Sequence, residues 1–373
     1  MVSGVILLLF DPRPKERLEE LFDREEEVKL LMKAVATPVT LLLGVRRVGK
    51  TSLLKSFLNS LGTPHIYLDL RVLEDRGYSR AQLYRLLSDS VSSCISKWKK
   101  MLECFRGIKG VGISGFKVEF DWREEALTLT TLLNKLNEYA VSGTDGGFIV
   151  ISFDEAQLLR FLAGGKGRMD FRRIIAYAYD NLRGLRFILT GSEVGVLLHF
   201  LGLDDASSPL YGRYVSTVRV ERFPRERSIE FLNRGFREAK MNVSDDILNA
   251  IVEKVDGIPG WLTYFGCMCL ESGGASKEAI RAVTEKALGI VEGELEELFK
   301  RSSQYRHVLK AVSLGAASWS SIKKAVEVWV GRRLANAEIT RSLNTLTSLS
   351  IVEKIDGEYR IADPLIAEYC RKI

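Results

Sequence analysis

Two short motifs in this 373-residue sequence have the residue types and spacing of a site that handles phosphate groups. The first, at residues 44–51, reads GVRRVGKT and matches G-x-x-x-x-G-K-[ST] at every fixed position. In such a loop the glycines bring backbone N–H groups onto phosphate oxygens, the lysine reaches the terminal phosphates, and the hydroxyl binds Mg²⁺. The pattern predicts a nucleotide-phosphate site formed by Gly44, Val45, Arg46, Arg47, Val48, Gly49, Lys50, Thr51 and Ser52.

The second motif is the acidic pair Asp154-Glu155, which follows an apolar run at 148–153. We expect Asp154 to hold Mg²⁺ directly or through water, as Thr51 does, and Glu155 to orient and deprotonate the water that attacks a terminal phosphate. Acidic pairs also cap helices. The upstream phosphate-binding loop favours the catalytic interpretation, with ATP or ADP and Mg²⁺ as ligands.

Two further polar residues stand next to predicted strands. Thr190 ends an apolar run, where it either senses the terminal phosphate or forms a strand-end turn with Gly191 and a helix cap at Ser192. Arg213 lies on a turn just before the strand predicted at 215–220. A guanidinium there can stabilise charge on a transferring phosphoryl group, in its own site or in that of a neighbouring subunit.

Apolar runs that alternate with helical patterns must position these groups. Five runs are predicted to be buried strands: 39–43, 65–70, 148–153, 185–190 and 215–220. The alternation predicts an α/β domain with a parallel sheet, in which ligands bind at the carboxyl ends of the strands. A glycine-rich segment at 107–122 predicts an inserted β-hairpin, and its Lys109 and Lys117 either contact nucleic acid or are simply solvated.

The remainder of the chain changes from mixed to helical patterns. Residues 224–302 predict four helices in a small bundle, with a break at Gly257-Ile258-Pro259. Three helical patterns and a hairpin with an Asp-Gly tip then predict a winged helix-turn-helix. The predicted units are an N-terminal extension (1–21), the α/β domain (22–222), a helical lid (223–302) and the winged helix (303–373).

The winged helix leaves two functions open. If it binds double-stranded DNA, helix 336–349 would enter the major groove, with Lys354 and Arg360 against the backbone. Residues 303–373 hold 11 Lys and Arg against 7 Asp and Glu, and the reading helix itself offers Arg341 opposite Glu338. This modest surplus also fits a domain that faces a protein partner or the rest of its own chain.

Composition sets the wider limits. With 46% hydrophobic and 27% charged residues, the sequence predicts a soluble protein of two or three domains, and its net charge of +6 permits an anionic partner without requiring one. Five cysteines without zinc-site spacing predict reduced thiols and a cytoplasmic location. The apolar run at 5–10 is too short to cross a bilayer, so we expect a short extra strand or an extension, with no targeting role and no membrane partner.

Taken in order, these motifs resemble the archaeal-type ATPases of the AAA+ and STAND group of P-loop proteins. The segments that carry the resemblance are residues 22–25, 44–51, 153–157, 190–192, 209–213 and 257–260. It spans residues 22–373 and implies a nucleotide-binding α/β domain, a helical lid and a winged helix. It also implies that Phe22, Asp23 and Arg24 line the base pocket and that Gly257 and Pro259 close over the adenine.

One departure from the family pattern affects the expected activity. No lid arginine follows Pro259, where Trp261-Leu262-Thr263-Tyr264 stand instead, so we expect slow hydrolysis. Two functions fit the sequence. One is a nucleotide-dependent switch or regulator that hydrolysis resets, and the other is a DNA-binding ATPase that resembles replication initiators. The sequence leaves the oligomeric state open.

Overall fold

The computed structural model of the protein describes residues 9–144, 146–163 and 169–373. Its strands, in chain order, are β1 (Val39–Leu43), β2 (His65–Asp69), β3 (Val111–Ser114), β4 (Lys117–Phe120), β5 (Ile149–Asp154), β6 (Leu185–Gly191), β7 (Ser216–Arg219), β8 (Val352–Ile355) and β9 (Glu358–Ile361). The predicted hairpin at 107–122 is confirmed as β3 and β4, and the predicted wing as β8 and β9.

Five of these strands form one parallel sheet in the order β2-β5-β6-β1-β7. Strands β1 and β5 are buried along their whole length, which explains their uninterrupted apolar sequences. Because all five run in the same direction, their carboxyl ends meet at one edge. The phosphate-loop sequence after β1, Asp154 at the end of β5 and Thr190 near the end of β6 therefore come together.

Helices cover the sheet and then form the rest of the chain. The α-helices around the sheet are α1 (Glu25–Ala34), α2 (Lys50–Ser60), α3 (Val72–Arg76), α4 (Arg80–Lys97), α5 (Leu129–Gly143), α6 (Phe171–Asn181) and α7 (Val194–Leu201). Those that follow it are α8 (Arg225–Glu238), α9 (Asp245–Val255), α10 (Pro259–Glu271), α11 (Lys277–Phe299), α12 (Ser303–Ser313), α13 (Trp319–Val330), α14 (Asn336–Ser348) and α15 (Pro364–Lys372). Short 3₁₀ helices occupy Leu18–Glu20, Lys99–Phe105 and Ala156–Ala163. The predicted fold class, a parallel α/β domain followed by a helical part and a winged helix, is confirmed.

The helical domain and the winged helix share one hydrophobic core. A single cluster of buried side chains runs from Phe231 on α8 through Trp261 and Phe299 to Leu365 on α15. The winged helix is therefore packed onto the helical domain rather than held by a linker. The residue limits assigned to the separate units from the sequence stay predictions.

The winged helix also contacts the α/β domain directly, at the start of α7. The backbone N–H of Val194 donates to Ser350 Oγ at 3.0 Å. Gly195 approaches Ser348 so closely that a Cβ on it would lie 2.6 Å from Ser348 Cα. Only glycine fits at this position, and the end of the predicted reading helix α14 is consequently held against the α/β domain.

The first described residues form an N-terminal strap, which we define as residues 9–21. Its Phe10 ring fills a socket between α8 and α10, where a Cβ on Gly235 or Gly266 would lie 2.3 or 2.6 Å from the ring. Farther along the strap, Lys15 N–H donates to Ser52 Oγ on α2 at 3.1 Å. The strap thus joins the helical domain to the α/β domain; residues 5–8 of the predicted extra strand lie outside the described residues.

Both lysines of the inserted hairpin region have acidic partners within the chain. Lys117 lies 2.6 Å from Glu119, and Lys109 lies 3.5 Å from Glu124. These pairs favour the simpler interpretation of a solvated hairpin. Within the three described ranges, no helix has the length and apolar character needed to cross a membrane.

Candidate functional site

A cleft of about 960 Å³ opens at the carboxyl edge of the sheet, between the α/β domain and the helical domain. Many of the residues singled out from the sequence line it: Phe22, Arg24, Arg46, Arg47, Val48, Gly49, Lys50, Thr51, Ser52, Glu155 and Pro259. The sheet topology brings the phosphate loop and the acidic motif together, and the packing of α10 adds Pro259 to the same place.

The phosphate loop ends where α2 begins. Gly49 has a φ of 94°, a left-handed conformation that turns the chain into the helix and aims the first N–H groups of α2 at the cleft. Lys50 Nζ donates to the carbonyl oxygens of Gly44 at 2.8 Å and Val45 at 2.9 Å. Burial lowers the pKa of Lys50 to about 8, against the attraction of Glu155. An incoming phosphate would replace the carbonyls as a stronger, charged partner.

Asp154 is fully buried and accepts three side-chain hydrogen bonds. Thr51 Oγ1 donates to its Oδ2 at 2.9 Å, Tyr67 OH donates to the same oxygen at 2.8 Å, and Thr190 donates to Oδ1. A hydroxyl and a carboxylate side by side are hard oxygen donors of the kind that Mg²⁺ prefers, so Thr51 and Asp154 fit the predicted metal. No motif in the sequence indicates that Tyr67 binds Asp154.

The Glu155 carboxylate is held by hydrogen bonds to neighbouring residues. Its Oε2 accepts from Ser192 Oγ at 2.6 Å, from Ser192 N–H at 3.2 Å and from Gln157 Nε2 at 2.6 Å. Burial raises the pKa of Glu155, but the charge of Lys50 and these hydrogen bonds outweigh it and leave the pKa lowered. The group is therefore a carboxylate at neutral pH, as a proton acceptor must be.

Thr190 lies behind the acidic pair and is fully buried. Its hydroxyl donates to Asp154 and accepts from the backbone N–H of Glu155 at 3.0 Å. Thr190 thus connects the two acids, and its role as a sensor of the terminal phosphate stays a prediction. Ser192, the other residue of the predicted turn, binds Glu155.

The segment before α1 forms the other wall of the cleft. The Phe22 ring packs edge-on against Phe223 and Phe231, with centroids 5.5 and 5.3 Å apart. Arg24 Nη2 donates to the carbonyl of Val48 at 3.0 Å and so ties this segment to the phosphate loop. Asp23, also predicted to line the base pocket, accepts from Arg227 Nε at 2.8 Å instead.

The predicted break in the helical lid, at Gly257-Ile258-Pro259, requires a glycine. Gly257 has a φ of 71°, and a Cβ on it would lie 2.0 Å from the Phe223 carbonyl oxygen, so only glycine fits. Pro259 then begins α10 and lines the cleft. The next residue, Gly260, donates its N–H to the Arg47 carbonyl at 2.8 Å and fixes α10 against the phosphate loop.

Arg47 forms the centre of a contact that the sequence did not reveal, and we call Arg47, Trp261, Glu294 and Asp363 the Arg47 junction. The Arg47 guanidinium lies 4.2 Å from the Trp261 ring centroid and pairs with Glu294. Asp363 Oδ2 lies 3.9 Å from the guanidinium and accepts from Trp261 Nε1 at 2.7 Å. The junction joins the phosphate loop to α10, to α11 and to the start of α15.

Arg213 lies at the opposite edge of the sheet from the cleft. Ser216, at the start of β7, pairs with Thr40, near the start of β1, whereas the phosphate loop follows the end of β1. The strand that separates Arg213 from the cleft spans about 13 Å for its four residues. Arg213 instead pairs with Asp180 on α6 at 2.7 Å. It is therefore not placed to act on the site of its own chain.

Known proteins support the assignment of the fold and of the family. Residues 21–265 match the family model described as an ATPase domain predominantly from Archaea, and residues 300–362 match that of the MCM protein C-terminal winged helix-turn-helix domain. No curated protein was found to match the chain.

Two solved structures illustrate the similarity. A Walker-type ATPase of Pyrococcus abyssi is 39% identical with a TM-score of 0.84, and the match covers 97% of this chain and 99% of that one. The ORC2 protein of Aeropyrum pernix, solved as ADPNP-ADP complexes, shares the fold at 13% identity and a TM-score of 0.51, over 98% of both chains. Because the family model covers more than half of the chain, the chain belongs to the family of ATPase domains found predominantly in Archaea.

Proposed function

We propose that the protein binds ATP with Mg²⁺ and hydrolyses it slowly in the cytoplasm, as a nucleotide-dependent switch. The observation that carries the proposal is the Arg47 junction, because it joins the phosphate loop to both the lid and the winged helix. Arg47 lies between the two fixed glycines of the loop. If bound phosphate moves the loop, Arg47 cannot keep its present contacts with Trp261 and Glu294. Binding or loss of the terminal phosphate therefore changes how the lid and the winged helix pack against the α/β domain.

The residues of the cleft supply the parts of the hydrolysis reaction. Lys50 leaves the loop carbonyls for the terminal phosphates, and Thr51 and Asp154 hold the metal. When bound, Mg²⁺ neutralises charge on the phosphate oxygens. Glu155, as a carboxylate, orients water and accepts its proton.

Slow turnover follows from two features of the site. Three hydrogen bonds from Ser192 and Gln157 hold the Glu155 carboxylate, and at least some of them must break before it can engage water. In addition, the described residues of the lid that line the cleft include no lysine or arginine. The lid therefore contributes no cation to stabilise the transferring phosphoryl group.

A second connection supports the switch. Ser192, which binds Glu155, is two residues from Val194, whose N–H binds Ser350 next to the winged-helix strand β8. A change in the partners of Glu155 on ATP binding acts on this short segment. The acidic motif and the phosphate loop thus each have their own contact with the winged helix.

Arg213 fits a role between subunits. It is partly exposed at the far edge of the sheet and fixed by Asp180, where it can face the cleft of a neighbouring copy but not its own. We include in the proposal an assembly, formed when nucleotide is bound, in which Arg213 stabilises charge on the partner's terminal phosphate.

DNA binding is the second candidate, favoured by the exposed side of α14. Asn336, Thr340, Arg341 and Asn344 are exposed on this helix, and their amide, hydroxyl and guanidinium groups suit base edges. Against it, Arg360 of the wing pairs with Glu353 at 3.0 Å. The weak positive surplus and the docked end of α14 make the switch the better-supported function.

The first test concerns nucleotide binding. Lys50→Ala removes the buried cation at the terminal phosphates and is expected to raise the Kd for ATP with Mg²⁺ at least tenfold, as on the order of 1.4 kcal/mol of charge-assisted bonding requires. Isothermal calorimetry measures the effect, with Lys29→Ala as a control because Lys29 is exposed on α1. Equal affinities in wild type and Lys50→Ala would contradict the assignment of the loop.

The second test concerns the general base. Glu155→Gln keeps an acceptor for Ser192 but cannot take a proton, so we expect unchanged ATP affinity and a single-turnover hydrolysis rate about a hundredfold lower. Rapid-quench measurement of phosphate release gives this rate. A rate equal to that of the wild type would show that Glu155 has only a structural role.

The third test concerns the switch. In the wild type, hydrogen exchange of the amides of α15 is expected to differ between ATP-bound and ADP-bound protein. Arg47→Ala removes the cation of the junction and should abolish that difference. Asp363→Asn is the matched variant, because its amide oxygen still accepts from Trp261 while its charge is lost. Exchange of α15 that depends on nucleotide equally in wild type and Arg47→Ala would contradict the proposal.

The fourth test decides between the two functions. If the winged helix binds DNA, gel shifts on random duplexes should weaken steeply between 50 and 200 mM salt, and Arg341→Ala should weaken binding further. The exposed Arg106, far from the winged helix in sequence, provides the control Arg106→Ala. Absence of a shift at the lower salt concentration would eliminate the DNA-binding candidate.

A further inference from the structure

Phosphoryl transfer requires positive charge near the terminal phosphate in addition to the phosphate-loop lysine. Arg213 cannot supply it within its own chain. The arginines that line the cleft are Arg13, Arg24, Arg46, Arg47 and Arg71. Their existing contacts decide which of them is available for a phosphate.

Two of these arginines are already committed. Arg24 is buried and donates to two backbone carbonyls and to Glu27. Arg47 is held by its junction. Neither can turn to a ligand without leaving buried partners unsatisfied.

Two others lack either an anchor or a place beside the acidic pair. Arg13 is anchored, since Asp11 accepts from its Nε at 3.0 Å and from its Nη2 at 2.7 Å, but it belongs to the strap and 83% of its side chain is exposed. Arg46 is 55% exposed and lies 3.7 Å from both Glu193 and Glu294, beyond hydrogen-bond distance. Neither arginine is both fixed by hydrogen bonds and placed by the sheet beside Asp154, as a pre-positioned catalytic group requires.

Arg71 is different, because it is fixed and still has a free side. It follows β2 at the carboxyl edge of the sheet, and Asp69 accepts from its Nε at 2.8 Å and from its Nη2 at 2.6 Å. This planar, two-point pair sets the orientation of the guanidinium. Within the described part of the chain, Asp69 is the only ion-pair partner of Arg71, and Nη1 makes no hydrogen bond.

The backbone places this group beside the metal-binding strand. Asp69 pairs with Asp154 in the sheet register, and Leu70 N–H donates to the Asp154 carbonyl at 3.2 Å. Tyr67, two residues earlier on β2, donates to the Asp154 side chain. The hydrogen bond with Asp69 also raises the pKa of Arg71, so the guanidinium stays charged at every relevant pH.

We propose that Arg71 is a catalytic residue that contacts the terminal phosphate of ATP bound to its own chain, with Asp69 as its positioning residue. The inference rests on the proposed ATPase function. Water oxygen forms a bond to the terminal phosphorus, and the bond from phosphorus to the bridging oxygen breaks with its electron pair left on ADP. Glu155 accepts the proton of the water. Arg71 stays protonated and stabilises the charge of the transferring group.

The test compares ligands with and without the terminal phosphate. Arg71→Ala is expected to weaken binding of a non-hydrolysable ATP analogue about tenfold while ADP affinity stays within about twofold, because only the analogue carries the group that Arg71 contacts. Single-turnover hydrolysis should fall about a hundredfold, less than for a fully buried arginine finger because Arg71 is half exposed. Arg76→Ala is the matched control, since Arg76 is exposed at the end of α3, the helix that Arg71 precedes, and does not line the cleft.

Five comparisons decide the result. Asp69→Asn keeps Arg71 but weakens its anchor, and should show the same selectivity with a smaller loss. Equal weakening of analogue and ADP by Arg71→Ala, or no weakening of either, would overturn the inference, as would a selective loss in Arg46→Ala alone. Rescue of hydrolysis on mixing Arg71→Ala with Lys50→Ala protein would overturn the action within one chain. If wild-type protein binds no nucleotide, the proposed function itself fails.

Discussion

The buried carboxylate of Asp154 is the interaction on which the arrangement of the cleft depends. An ionised group without solvent is stable only when its oxygens are hydrogen-bonded. Here the donors come from three elements: Thr51 on α2, Tyr67 on β2 and Thr190 on β6. Satisfying one charge therefore fixes the phosphate-loop helix and two neighbouring strands relative to β5, which is the geometry that the phosphate chemistry needs.

From this carboxylate, contacts continue to the rest of the molecule. Thr190 connects Asp154 to the backbone of Glu155, and the Glu155 side chain binds Ser192 just before α7. The start of α7 then touches Ser350 beside the wing. Hydrogen bonds form every step except the two-residue segment from Ser192 to Val194, so the acidic pair and the winged helix are connected through a continuous set of contacts.

The sequence predicted the parts of the site that are local. The loop at 44–51 and the acidic pair are recognisable because their chemistry needs fixed residue types at short spacing, and the apolar runs around them identified the buried strands. The contact of Tyr67 with Asp154 could not be predicted because it depends on β2 pairing with β5, a register that only the assembled sheet defines, and the role proposed for Arg71 depends on the same register. The Arg47 junction could not be predicted because its acidic members are far away in sequence. Arg213 does lie just before a sheet strand, as the sequence predicted, but the direction of that strand places it at the end of the sheet away from its own cleft.

The burial of Phe10 affects how the cleft can open. The helical domain is attached to the α/β domain covalently, through the connection from β7 to α8. It is attached a second time through the strap, whose Phe10 ring lies in the socket between α8 and α10 and whose Lys15 is hydrogen-bonded to α2. These two chain attachments add to the contacts of the Arg47 junction and restrict how far the helical domain can move from the α/β domain. Wide opening of the cleft requires an aromatic ring to leave an apolar socket for water, which is unfavourable.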